Sequence, residues 1–227
     1  MQEPLFQNVD VRTAMWEAID KPGMVSSCTY GMGVTLSSFA PAYNKEGAKT
    51  FPDIPNNVAD AKALLAKAGY PNGFEIELFH VPDPLFDCLG ESIQGMWSEI
   101  GIKTNIVTSA LATYSAQKNG MFQAAIRNGQ AVDISNVWII YETAFGYHLN
   151  PNDEWLNTQL LDLRHLSTTN PKRAESVNAI ADHLYEIRFS YPLMEMPMVY
   201  VVSNKMEGFV FNPVSQSLKV ADWVVYK

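Results

Sequence analysis

The chain has 227 residues, 47% of them hydrophobic and 18% charged, a composition that yields an ordered globular protein with a substantial core rather than a disordered tail. Its formal net charge of −8, with no cluster of Lys and Arg, excludes a nucleic-acid surface, because phosphate binding needs concentrated positive charge to release counterions. No stretch approaches the roughly 18 to 20 apolar residues of a membrane span, and the start MQEPLFQNVD lacks the charged-then-apolar form of a secretory signal, so a signal for export would lie outside this sequence.

In chain order, Val11, Met15, Ala18 and Ile19 predict one face of a helix, capped by Asn8 or Asp10 and ended by Pro22-Gly23. Residues 28–55 carry Gly31, Gly33, Pro41, Gly47, Pro52 and Pro55 without a sustained period, which predicts a long excursion with little regular structure. Cys28 and Cys88 stand too far apart for a short metal or redox motif and read as small buried hydrophobes, with a single disulfide the alternative in an oxidising compartment.

The stretch Asn57–Leu78, NVADAKALLAKAGYPNGFEIEL, organises the rest of the chain. Asn57 caps a helix whose Val58, Ala61, Leu64, Leu65 and Ala68 fall at helical spacing, and Gly69 stands where the helix end needs positive φ. Tyr70-Pro71-Asn72-Gly73 is a turn, after which Phe74, Ile76 and Leu78 alternate with Glu75 and Glu77 as a half-buried strand. Leu85, Leu89, Ile93, Met96, Trp97 and Ile100 then predict a helix closed by Gly101, and Ile102, Thr104 and Ile106 a second strand. Phe122, Ala124 and Ile126 predict a third strand with Arg127 at its end, where open α/β sheets commonly hold ligands. Residues 137–146 are helix or buried strand, and His148 to Trp155 read as loop. Asn170 and Pro171 open a helix with face Val177, Ile180, Ala181, Leu184 and Ile187, and Val199 to Val202 predict a buried strand.

Several of these segments are worded alike in one family. AKALLAKAGYPNGFEIEL resembles the A-K-x-L-L-x-x-A-G-Y-x-x-G-F segment of the family 5 extracellular solute-binding proteins, which include dipeptide, oligopeptide and nickel receptors of bacterial ABC importers. FQNVDVRTAMWEAID, SEIGIKTNIV, the Pro171, Arg173 and Ile180 helix, and the segment Lys205–Pro213 resemble further segments in that family's order. The resemblance implies a mixed α/β lobe of the periplasmic-binding-protein type II-like fold. Residues 1–227 would form a single lobe, the second of the receptor, whose end approaches the hinge to a first lobe not in this sequence. It implies a non-enzymatic, cofactor-free receptor, periplasmic or extracellular and membrane-associated, that delivers a peptide or similar small solute to an ABC permease.

In the peptide-binding members the third strand leads into R-x-G-W-x-A-D, and Arg127, Gly129 and Asp133 stand at the matching positions. The resemblance implies that Asp133 pairs with a peptide ammonium and Arg127 meets its carboxylate. Gln130 replaces the Trp and the usual proline after the aspartate is missing, which implies altered specificity; Trp138, close behind the bend, completes the predicted contacts. The other tryptophans, Trp16, Trp97, Trp155 and Trp223, read as core. The competing reading is a metal- or thiol-dependent hydrolase built on His80, Asp83, Asp87, Cys88 and Glu91, where Asp87 and Glu91 share a helix face. A third is a non-catalytic interaction domain burying an orphaned lobe face.

Overall fold

The computed structural model describes residues 4–39, 49–109, 123–127, 153–196, 201–207 and 224–225. Helix α1 (Pro4–Gln7) leads into α2 (Val9–Glu17), where the Asn8 side chain accepts a hydrogen bond from the Asp10 N–H at 2.9 Å and so satisfies an otherwise open helix donor. Val11, Ala14 and Met15 are buried along one face of α2. Arg12 is buried with them and donates to the carbonyls of Phe6 and of Ile187, the latter at 2.7 Å, a tie across nearly the whole sequence.

Pro22-Gly23 does not simply end that helix. It opens another, α3 (Lys21–Cys28), with Asp20 as cap accepting from the Gly23 N–H at 3.1 Å. Proline lacks the N–H that a first turn leaves unpaired anyway, so it fits there at no cost in hydrogen bonding. The following excursion contains one short strand, β1 (Val34–Thr35).

The central unit forms as its sequence predicts. Asn57 caps α4 (Val58–Lys67), Gly69 takes φ +95°, and β2 (Glu75–His80) follows the turn. Asp83 caps α5 (Pro84–Glu99), which leads through Gly101 into β3 (Lys103–Thr108). The third strand is short, β4 (Ala124–Ala125). These strands form a parallel sheet in the order β3-β2-β4, with Glu75 opposite Lys103, His80 opposite Thr108 and Phe79 opposite Ala125. Buried Ile76, Leu78, Leu89, Ile93, Trp97 and Ile102 join the inner face of α2 and Met24 of α3 in one core. The Trp97 indole donates to the Met15 carbonyl at 3.0 Å, pinning α5 to α2.

A second core lies under two helices. The first, α6 (Glu154–His165), starts inside what the sequence reads as loop: Asp153 caps it through the Leu156 N–H at 2.9 Å, and Leu156, Leu160 and Leu163 are buried. The second, α7 (Lys172–Glu186), buries Val177, Ile180, Ala181 and Leu184 against them, and its Asn170 side chain accepts from the Lys172 N–H at 3.0 Å. Arg173, 2% exposed, donates to the carbonyls of Leu163 and Leu166 at 2.9 and 2.8 Å and thereby closes the end of α6. Trp16, Phe39 and Phe51 belong to this second core, and half-buried Tyr191 packs against both cores. Trp155 departs from the core reading, since it is 42% exposed and lies against the His183 ring.

After α7, β5 (Met194–Glu195) pairs antiparallel with β1, and β6 (Met206–Glu207) with β7 (Val224–Val225). The buried strand predicted over Val199–Val202 is not formed in its described half. Val201 and Val202 lie outside any strand, and Val201 is 98% exposed. Among the described residues no helix is long and apolar enough to cross a membrane.

Candidate functional site

Because β2, β3 and β4 are parallel, their carboxyl ends share one edge of the sheet, at His80, Thr108 and Ala125. The backbone there is drawn tight: the Ile126 N–H donates to the Phe79 carbonyl at 2.8 Å and the Ser109 N–H to the His80 carbonyl at 3.3 Å. Arg127 follows directly and is half-buried beside this edge. An open parallel sheet ends its strands in a crevice where connecting segments diverge, which is why ligands favour that edge. Of the predicted solute contacts, Arg127 lies among the described residues, and Gly129, Gln130, Asp133 and Trp138 lie outside them.

The residues of the competing hydrolase reading occupy the same edge but are committed elsewhere. His80 is 1% exposed, its ring lodged beneath α5 at Gly90, where a β-carbon would come within 2.9 Å of Nε2. Its Nδ1 lies 3.0 Å from the Val81 carbonyl, which can only accept, so Nδ1 carries the proton there. Asp87 Oδ1 is 3.7 Å from the same nitrogen. Asp83 accepts from the Leu85 N–H at 2.9 Å as the helix cap, and Glu91 is exposed. Cys88 is bonded to Cys28 in a disulfide, so neither is the free buried hydrophobe expected, and the proposed thiol nucleophile does not exist in this state. Among the described residues no group of three or more His, Cys, Asp or Glu is placed to hold a metal. In this state the thiol reading has lost its nucleophile to the disulfide, and His80 and Asp83 are held in structural contacts.

Two further polar clusters belong to the frame. Lys21, 5% exposed, donates to Asp53 at 2.8 Å and to the Leu36 carbonyl at 3.0 Å; the Lys21 hydrogen bond, followed by that of Ser37, holds the Asp53 carboxyl below the usual carboxylate range. Asp153 bonds His183 of α7 as well as capping α6. Burial pushes its carboxyl up, and the hydrogen bonds from the Leu156 N–H and His183 outweigh this, leaving it below its ordinary value. Sequence reasoning misses this pair together with α6, although an aspartate just before leucines at helical spacing is a helix-start signal.

The profile of the bacterial extracellular solute-binding proteins, family 5 Middle, matches residues 1–151. The chain belongs to this family. It is 37% identical over 131 residues to heme-binding protein A of Haemophilus influenzae, a match covering 53% of this chain and 23% of that protein. The dipeptide-binding protein of Pseudomonas aeruginosa is 25% identical over 223 residues, 93% of this chain and 42% of its own length. In structure, the chain superposes with TM-score 0.79 and 21% identity on a dipeptide-binding protein of Pseudoalteromonas sp. SM9913 solved with Met-Leu, covering 99% of this chain and 46% of that one. The chain thus spans less than half the length of these relatives, and its fold is the mixed α/β, periplasmic-binding-protein type II-like architecture they share.

Proposed function

We propose that residues 1–227 form one ligand-binding lobe of an ABC-importer solute receptor that takes peptides or similar small solutes with free charged termini. The observation that carries this reading is Arg127, set at the carboxyl edge of the parallel sheet in a chain of this family. Its guanidinium offers a forked set of donors matched to a carboxylate. Asp133, six residues on in sequence, supplies the opposite charge for an ammonium group in this reading, and Gly129, Gln130 and Trp138 complete the proposed contacts. The lobe acts as a binding surface rather than an enzyme: it recognises charge and shape, and breaks no bond. Full affinity comes from closure against a second lobe, which desolvates both ends of the solute, and the loaded receptor hands it to a membrane permease outside the cytoplasm. The half-buried disulfide supports that location, because such bonds persist in oxidising compartments.

The test is an NMR shift titration of the chain with Met-Leu, with Asp133→Ala as control. Shifts centred on Arg127 and its neighbours at millimolar dipeptide, lost in the variant, are expected. No shifts at that edge, or shifts indifferent to Asp133, would refute the site.

A further inference from the structure

The disulfide does more than join two helices. Cys28 is the last residue of α3, and the chain immediately after it makes a turn of unusual conformation: Tyr30 takes φ +53° and Gly31 φ +72°. An aromatic side chain at positive φ is a strained arrangement that persists only where the surroundings impose it. The restraints are visible on both sides. The buried Thr29 hydroxyl donates to the Val25 carbonyl and accepts from the Gly33 N–H at 3.0 Å, while Gly33 is wedged against the Glu195 carbonyl and Met196 of the β5 segment. On the other flank stands the covalent bond to Cys88. The product of these restraints is a Tyr30 side chain 90% exposed, followed by Met32 at 53%.

The position of the turn follows from α5. Gly90 packs on the His80 ring, which marks the level of the carboxyl end of β2. Cys88 lies nearer the start of α5 than Gly90 and hence at or beyond that end, on the side where Arg127 leaves β4 next to Phe79. Cys28 is 5.6 Å from it between α-carbons, so the Tyr30 turn is carried to the same edge. The bond is half-buried rather than sealed in the core, with the Ser92 and Ser27 hydroxyls 3.5 and 3.8 Å from the Cys28 sulfur. Met24 of α3 is packed in the main core independently of the bond.

We propose that Cys28–Cys88 is a redox-sensitive clamp that holds the strained Thr29–Gly33 turn at the solute edge, and that a dithiol reductant releases this turn while the rest of the fold stands. A reductant thiolate attacks one sulfur, forms a mixed disulfide and expels the other as a thiolate; the second thiol of the reductant then resolves the intermediate. The cystine gains two electrons and two protons and becomes two thiols, and the dithiol is oxidised to a cyclic disulfide. The consequence for solute retention rests on the reading of Arg127 as a solute contact; the clamp does not.

The test is hydrogen exchange on the full chain, oxidised and after treatment with dithiothreitol, with Cys28→Ser/Cys88→Ser as the reductant-insensitive reference. Exchange at least tenfold faster in residues 29–36 and in the first turns of α5, with α7 unchanged, is the expected result, and the double variant should show it without reductant. Unchanged exchange in the turn, or equal acceleration throughout α7, would overturn the clamp. A Met-Leu titration in both redox states separates the two claims. At least threefold weaker binding after reduction is expected; equal binding with a loosened turn would overturn the link to solute, and no binding to the oxidised chain would count against the solute reading alone.

Discussion

Replacing Gly73 by alanine tests the geometry on which the sheet is built. Gly73 closes the turn before β2 with φ +72°, its N–H donating to the Tyr70 carbonyl at 3.0 Å. Directly against it is Gly101, at φ +87°, which closes the bend between α5 and β3. A β-carbon at position 73 would fall 1.9 Å from the Gly101 carbonyl oxygen and 2.3 Å from its carbon. Both are backbone atoms at the point where Glu75 and Lys103 begin the β2–β3 pairing, so no side chain can rotate away to make room. The left-handed conformation costs alanine about 1 kcal/mol, and forced overpacking adds about 1–3 kcal/mol, for a total of about 2–4 kcal/mol. Gly69→Ala is the matched control: φ is +95°, but nothing lies within 4 Å of the added carbon, so only the conformational cost of about 1 kcal/mol applies. Urea unfolding followed by circular dichroism at 25 °C measures both. Gly73→Ala costing no more than Gly69→Ala would refute the argument that these two bends are packed backbone to backbone.

Other substitutions probe separate links. Arg173→Met keeps the buried stem but removes the donors to the Leu163 and Leu166 carbonyls, and is expected to cost about 2–4 kcal/mol in urea unfolding. Gly90→Ala presses on His80 Nε2 and should cost about 1–3 kcal/mol, less in a His80→Ala background, where a double-mutant cycle reads the coupling. The Asp53 carboxyl has a lowered folded-state pKa, so its stabilisation is fully present above the unfolded value of about 4 and is lost as pH falls through the folded value. Asp53→Asn should therefore flatten the acid limb of a stability-against-pH curve in that window, and also destabilise at neutral pH by leaving buried Lys21 without its carboxylate.

The central unit is legible because its signals are local. Asn57, Gly69 and Gly73 act within a few residues of themselves, and the helical face of α5 reads directly from Leu89, Ile93 and Trp97. The helix at Lys21 is obscured because Pro22 reads as a stop, when an aspartate two residues before a proline, as in Asp20-Lys21-Pro22, is equally a start. Helix α6 is hidden by the turn-like Asn150-Pro151-Asn152-Asp153, whose last residue is in fact its cap. Pairing of β1 with β5, and of Cys28 with Cys88, joins residues far apart in sequence, and no local pattern records such contacts. Arg127 is legible in two ways, as the end of an alternating strand and through its place in the family wording; the roles of Gly129, Gln130, Asp133 and Trp138 rest on the wording alone.

The claim that opposite charges receive the two ends of a solute is tested most directly by titrating the chain and its Arg127→Ala and Asp133→Ala variants with free, N-acetylated and C-amidated Met-Leu. The expected result is that both blocked forms bind more weakly than the free dipeptide, that Arg127→Ala abolishes the discrimination against the amide alone, and that Asp133→Ala abolishes the discrimination against the acetylated form alone. Equal binding of all three dipeptides, or discrimination that survives both substitutions, would contradict the account.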